Sequence, residues 1–392
     1  MTRPASAGWV EVDTEAIDHN IRTIRAELGD HVEFCAVVKA DAYGHGVDLV
    51  APLLIANRVT MIGVTSNDEA RLTRSLGFTG RLLRLRAGVR EEIDEGVGYG
   101  IEEWVGGVEH ARMIANVARE RGRRIRVHIS LNSTGLSRDG IEAGGGLSDE
   151  IVQSVLRHPA FDVVGVCSHF PCEDRADVRQ GAARFDRESR EIVGLLDSAS
   201  SPQRHCATTY AALYEPGTRF DLVRIGAALY GDTDALGGEL RPAMRLISSI
   251  AALNTYPGGS TAGYERRHRL HEEATLAVVP LGYADGYHRS LGGQAEVLVH
   301  GRRAPVVDQL AMNTFLADVS HIPEVRVGDE VVAYGRQGRD AITAVDIERF
   351  TGQIAADLYT AWGRLLPRVP RRPLDRMSRP DELVGERGVR SR

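Results

Sequence analysis

Between residues 10 and about 246, short apolar runs alternate with segments of helical period, and this rhythm constrains the fold more than any other feature. Strands joined directly can pair antiparallel through tight turns. Strands separated by helical segments run parallel, each helix crossing back over the sheet. Strand candidates are residues 34–38, 61–64, 81–85, 103–105, 126–131, 163–168, a run near His205, and 222–225. Eight such units fit an α/β fold closed as a (β/α)8 TIM-like barrel, where chemistry gathers in the loops after the strands. Ile17, Ile21, Ile24 and Leu28 mark the apolar stripe of one crossover helix, and Ile192, Val193, Leu195 and Leu196 part of another.

The pattern changes after residue 247. Residues 274–279, 295–299, 304–307, 314–319 and 330–334 are strand-like and separated by Gly and Pro turns, which predicts a C-terminal, mainly β domain. A helical piece over 344–366 closes it. The expected division is a barrel at 10–246, a β domain at 247–372 joined by residues 1–9, and a polar, aperiodic tail at 373–392. Ala143-Gly-Gly-Gly reads as a flexible connection, since no strand-to-helix fingerprint surrounds it to make a phosphate cradle.

Composition narrows the function class. The net charge is −6 and basic residues are scattered, so no nucleic-acid footprint is expected. The N-terminal stretch has no apolar core, and no run reaches the roughly 18 apolar residues of a membrane span, so a cytoplasmic, membrane-free protein is expected. Cys35, Cys167, Cys172 and Cys206 are few and unpatterned, as free thiols in a reducing compartment would be. Cys167, His169 and Cys172 lack a second pair at ligand spacing, so no metal site is expected.

Lys39 is the only lysine: the other 47 of the 48 basic residues are arginine. A guanidinium serves as a surface charge but cannot form an imine with an aldehyde. Lys39 follows the apolar Val37-Val38 and precedes a loop, so the amine is expected at a strand terminus in apolar surroundings. Desolvation there lowers its pKa toward nucleophilic competence. The alternative is a chance survivor in an arginine-biased chain, which would more naturally sit on the surface.

Ala-Val-Val-Lys39-Ala-Asp-Ala-Tyr43-Gly-His-Gly resembles the cofactor-lysine signature of the alanine racemase family. Further matches follow in the same order: Thr134-Gly-Leu-Ser-Arg138-Asp-Gly, His169-Phe170, Arg224-Ile-Gly-Ala-Ala-Leu-Tyr-Gly, Gly263-Tyr264, Gly282-Tyr283-Ala-Asp-Gly-Tyr287, Ala311-Met312-Asn313, and Tyr359 nine residues before Arg368-Val-Pro-Arg. Each is weak alone, whereas the ordered set is specific. The family's enzymes use pyridoxal 5'-phosphate, and the resemblance implies a barrel with a C-terminal β domain, homodimers with shared sites, and amino-acid racemisation.

Racemisation removes a proton from Cα on one face and returns one on the other, so two titratable groups must flank a planar centre. The resemblance implies Lys39 as the imine lysine and one base, and Tyr264, from the partner, as the other. A free tyrosine, with pKa about 10, is a poor base at neutral pH, so cationic or hydrogen-bonding neighbours are wanted; His169 and Arg224 are candidates. By resemblance Arg224 faces the ring nitrogen, Arg138 the phenolic oxygen, and His169 packs on the ring. Phosphate binding falls to Tyr43, Thr209, the amides of Gly226 and Ala227, and Tyr359. Substrate contacts fall to Arg138, Met312, Asn313, Tyr283 and Cys172. Bland roles stand beside these: an ion pair of Arg224 with Asp221 or Asp232, a core histidine at His169, a turn aromatic at Tyr264.

The chain also departs from many alanine racemases. They carry a carbamylated lysine before the Thr-Gly-Met-x-Arg motif, where this chain has Ser130-Leu-Asn132; Arg138 must be held otherwise, by Asn132 or a halide. Asn313 stands where aspartate is usual, and Gln309 where arginine is usual. These residues resemble the broad-specificity amino-acid racemases of the same family, and losing both charges suits larger or charged substrates. The alternatives are a strict alanine racemase supplying D-alanine, a decarboxylase suggested by Glu215-Pro-Gly-Thr-Arg219, and a non-catalytic cofactor carrier. The decarboxylases use a late Cys-Glu-x-x-Asp segment, and no cysteine follows Cys206 here. The carriers consist of the barrel alone.

Overall fold

The computed structural model describes residues 4–143, 146–196 and 201–371; the 143–146 connection lies partly, and the tail at 373–392 wholly, outside the described residues. Trp9–Val12 (β1) opens the chain. Eight largely buried strands follow: Glu33–Val37 (β2), Met61–Val64 (β3), Arg81–Arg84 (β4), Ile101–Val105 (β5), Ile125–Ser130 (β6), Phe161–Cys167 (β7), Gln203–His205 (β8) and Leu222–Ile225 (β9). They form one sheet in the order β8-β7-β6-β5-β4-β3-β2-β9, every neighbouring pair parallel. Between the edge strands, Asp221 N donates to Arg204 O at 3.1 Å and Arg224 N to Ala207 O at 3.0 Å, which nearly closes the barrel. Strands covered on both faces read as continuous apolar runs, which is why their periodicity is absent but their positions are legible. The helix Thr14–Leu28 buries Ile17, Ile21 and Ile24 completely and Leu28 nearly so.

The described residues divide into two compact units: those within 17–42 and 50–241, and those within 4–16, 43–49 and 242–371. In the second unit β1 pairs antiparallel with Met244–Ser249 (β10) and parallel with Arg368–Pro370. β10 in turn pairs with Glu330–Gln337, and Glu296–Val299, Arg302–Pro305 and Asp340–Ile342 complete a seven-stranded sheet. Ala252–Tyr256, Ala274–Val279 and Phe315–Asp318 form a three-stranded sheet, and Thr261–Ala262 pairs with His268–Arg269.

β10 runs across the 246/247 division expected from sequence. Its Met-Arg-Leu-Ile run has the composition of a barrel strand, but its partners are antiparallel and distant in the chain. β1 extends the contribution of the first nine residues through Val12 for the same reason. The single helical piece expected over 344–366 is two helices, Ala344–Thr351 and Ala355–Leu365. Gly352 divides them in a left-handed conformation (φ 69°), its N–H donating to Glu348 O at 2.8 Å.

Candidate active site

At the end of β2, Val38 N still donates to Gly63 O (2.9 Å), so Lys39 is the first residue beyond the ladder. The backbone then turns left-handed through four non-glycine residues, Ala40, Asp41, Ala42 and Tyr43, with φ of 53° to 55°. Each such residue costs about 1–3 kcal/mol and persists only where its surroundings hold it. Buried Glu69 does part of the holding: one carboxylate oxygen accepts from Asp41 N (3.2 Å), the other from Thr65 N (2.7 Å) and Ser66 N (3.2 Å). The turn thus fixes the half-buried Lys39 where burial, Arg138 and Arg224 lower its pKa, against an opposing pull from Glu69.

Arg224, on β9, is buried. It donates to Ser168 O (2.7 Å), His205 O (3.1 Å), Cys206 O (3.2 Å), His169 Nδ1 (3.5 Å) and His205 Nδ1. No carboxylate among the described residues bonds it; Asp221 accepts instead from Arg204 N. The ion-pair role is therefore excluded for Asp221. His169 sits two residues past β7, and burial together with the charges of Arg224, Arg138 and Lys39 pushes its pKa down to about 3. It is neutral at physiological pH. Because the guanidinium donates to Nδ1, the His169 proton sits on Nε2.

Arg138 follows β6 in a loop, its side chain 51% exposed and only loosely paired with Asp139 (3.8 Å). Asp139 is itself held by Trp104 Nε1 (3.1 Å) and Ser130 Oγ (2.9 Å). Asn132 does not reach the guanidinium. Its Oδ1 accepts from Ser137 N (2.8 Å) and its Nδ2 donates to Ser137 Oγ (3.2 Å) and Glu142, so it shapes the turn just before Arg138. Thr209 Oγ1 accepts from Gly226 N (3.3 Å), which sets Thr209, Gly226 and Ala227 side by side after β8 and β9. Cys172 is exposed on the loop after β7.

The remaining candidates lie in the β unit. Tyr264 is 61% exposed at a turn opened by Gly263 (φ 71°). Tyr283 (41%) and Met312 (55%) are exposed too, their loops joined by Tyr283 N donating to Ala311 O (3.3 Å) and Ala284 N to Met312 O (2.9 Å). Gly282 permits this approach, since a Cβ there would overlap the Ala311–Met312 backbone. Asn313 is exposed beside them. Tyr359 is buried, its hydroxyl bonded to that of Tyr334 and its ring near His45 and Trp362. Gly44 packs directly on the Tyr359 backbone, which brings the half-buried Tyr43 segment to that helix.

Four residues escaped the sequence reading: Glu69, Glu102, His128 and His205. Glu102 and His128 carried a signal, being ionisable groups with apolar neighbours in their strands (Ile-Glu-Glu-Trp-Val, Arg-Val-His-Ile-Ser), whereas the wholly polar Gln-Arg-His around His205 offered none. His205 Nε2 meets His128 Nδ1 at 2.8 Å, and His128 Nε2 meets Glu102 Oε2 at 2.8 Å, all buried.

Sequence profiles for "Alanine racemase, N-terminal domain" and "Alanine racemase, C-terminal domain" match residues 12–234 and 243–371. A broad specificity amino-acid racemase of Aeromonas hydrophila is 42% identical, covering 93% of this chain and 90% of its own. A lysine racemase of Proteus mirabilis is 37% identical over 92% and 89%. The alanine racemase structure from D-cycloserine-producing Streptomyces lavendulae superposes with a TM-score of 0.86 at 30% identity, covering 95% and 99%. Fold, site and relatives define an enzyme of the racemase class, an isomerase. The chain belongs to the alanine racemase family. Among the described residues no helix is long and apolar enough to cross a membrane.

Proposed function

We propose that this chain is a cytoplasmic, homodimeric, pyridoxal-5'-phosphate-dependent racemase that interconverts L- and D-amino acids and accepts side chains larger than alanine's. The observation that carries the reading is the sole lysine, fixed by a left-handed turn beside Arg138 and Arg224. The donor set fits the cofactor's chemistry: an amine for its aldehyde, a cation at Arg138 for its phenolic oxygen, and a hydroxyl and backbone amides at Thr209, Gly226 and Ala227 for the phosphate. Lys39, Tyr43 and Tyr359 complete its attachment, His169 its packing, and Arg224 its ring nitrogen. When bound, the cofactor supplies an electron sink that acidifies the substrate's Cα–H.

The protein's own groups then do the proton work. Lys39 Nζ takes or returns the Cα proton on one face, and the phenolic oxygen of Tyr264 of the partner subunit does so on the other. Neutral His169 does not compete as an acid. Arg138 and the exposed Tyr283, Met312, Asn313 and Cys172 receive the substrate's carboxylate and side chain. Gln309, which accepts from Arg289 (3.1 Å), and Asn313 leave that approach without the two charges usual in alanine racemases. Support for breadth comes from these residues and from the broad-specificity and lysine racemases among the relatives.

Initial rates on single enantiomers of alanine, serine, lysine and arginine, with and without added pyridoxal phosphate, test the reading. Cofactor-dependent turnover of lysine or arginine is expected. Turnover of alanine alone would leave the strict alanine racemase, and no cofactor dependence would overturn the assignment.

A further inference from the structure

We infer that Glu102 is a remote positioning residue for Arg224: a buried series of hydrogen bonds, Arg224 to His205 to His128 to Glu102, runs inside the barrel and keeps the proton on Arg224 and off the cofactor's ring nitrogen. The inference rests on the placement of Arg224 at that nitrogen. The series has one direction. A guanidinium only donates, so His205 Nδ1 accepts and its proton sits on Nε2; that proton is donated to His128 Nδ1, whose own proton on Nε2 goes to the Glu102 carboxylate. Each donor therefore points from the cofactor end toward Glu102.

The barrel is shaped to hold this series. His128 is on β6 and His205 on β8, with β7 between them, so their rings can meet only across β7. The residue of β7 opposite His128 is Gly165, and a Cβ there would overlap the His128 ring. Barrel interiors are commonly filled by branched apolar side chains; this one holds an arginine, two imidazoles and a carboxylate, a costly choice if stability alone were served. Burial lowers the pKa of both histidines, which keeps them neutral as the series requires. Burial alone would raise the Glu102 pKa, but hydrogen bonds from His128 and Arg81 outweigh it and bring it down to about 2. The charge at the far end is thus permanent.

Arg224, by contrast, has only neutral acceptors around it, and burial favours loss of its proton. The Glu102 charge reaches it through the two imidazoles, each bond polarising the next. At the opposite end Glu102 is braced by Arg81 (2.9 and 2.8 Å) and by half-exposed Arg126 (2.8 Å), at the starts of β4 and β6. Without the carboxylate the guanidinium becomes more acidic, shares its proton with the ring nitrogen, and strengthens the electron sink. Side reactions that need the stronger sink, half-transamination above all, then increase.

The test uses holoenzyme reconstituted with ring-¹⁵N-labelled pyridoxal phosphate. Glu102→Gln is expected to move the ring ¹⁵N shift toward the protonated value and to raise half-transamination per racemisation turnover by about tenfold, the effect of one unit in acidity. Glu102→Asp should restore both in part, and Arg81→Gln should leave both near wild type. A folded Glu102→Gln enzyme with unchanged shift and partition overturns the inference. Should that variant not fold, ¹⁵N-histidine spectra of the wild-type protein decide: His128 and His205 are expected neutral with Nε2–H, and an Nδ1–H or charged form at either overturns it. These spectra need no cofactor, so failure of the racemase reading and failure of this one are distinguishable.

Discussion

Most candidate residues of the two units stand in opposite states, with exposed Arg138 and Cys172 in the barrel and buried Tyr359 in the β unit as exceptions. In the barrel, Lys39, His169 and Arg224 are buried or half-buried and fixed by a strained turn, by backbone carbonyls and by one another. In the β unit, Tyr264, Tyr283 and Met312 stand exposed on loops. A site that holds a cofactor gains from preorganisation, because the groups need not reorganise as charge develops. Exposed aromatic and apolar residues beside positive-φ turns suit a surface completed by a second copy. On the proposed function, the buried or half-buried Lys39, His169, Arg224 and Tyr359 would retain the cofactor, whereas the exposed Tyr264, Tyr283 and Met312 would meet the substrate and the partner subunit.

Perturbing the fixed half should have the largest effect. Lys39→Ala removes the only side-chain amine able to form the imine; loss of the visible cofactor absorbance and a fall in racemisation on the order of 10⁴-fold are expected. Retention of the band would return Lys39 to an incidental role. In the exposed half, Tyr264→Phe should lower racemisation by roughly 10²- to 10³-fold and bias solvent-deuterium exchange toward one enantiomer. Unchanged exchange into both enantiomers would remove the two-base assignment.

Gln309→Arg restores a charge at the exposed half without touching the fixed half, and should lower kcat/KM for lysine relative to alanine by about fivefold, as a partly screened like charge does. An unaltered ratio would detach Gln309 from specificity. The smallest effect concerns pH. Only the uncharged Lys39 amine captures the aldehyde, and burial with Arg138 and Arg224 lowers its pKa. Capture by the cofactor-free enzyme should therefore reach half-maximum below the ordinary lysine range of about 10.4. Arg138→Gln removes one of the lowering charges and should move that midpoint upward; a downward shift would contradict the electrostatic account.

Much of this was legible in the chain. The barrel strands appear within a residue or two of their expected places, since parallel strands covered on both faces mostly leave apolar runs that need no periodicity. Pairing across long sequence distances was not legible: nothing local tells β10 that its neighbours are β1 and Glu330–Gln337. Lys39, Arg138, His169 and Arg224 are brought together because each follows or ends a barrel strand. The Glu102–His128–His205 series was hidden for the converse reason, as a polar residue in a barrel strand carries no sign of which interior neighbour it will find. The left-handed turn at Ala40–Asp41–Ala42–Tyr43 was equally hidden, because of these residues only Asp41 visits positive φ with any ease, as a single residue, and the surrounding fold, Glu69 included, imposes the run of four.

A mixed dimer tests the shared site most directly. When Lys39→Ala and Tyr264→Phe chains assemble together, a site built from Lys39 of one chain and Tyr264 of the other leaves one of the two sites in each heterodimer intact. A statistical mixture should then recover about a quarter of wild-type activity, although each parent is nearly inactive. Recovery no greater than the sum of the two parents would show that both residues act within one chain, and would contradict the account.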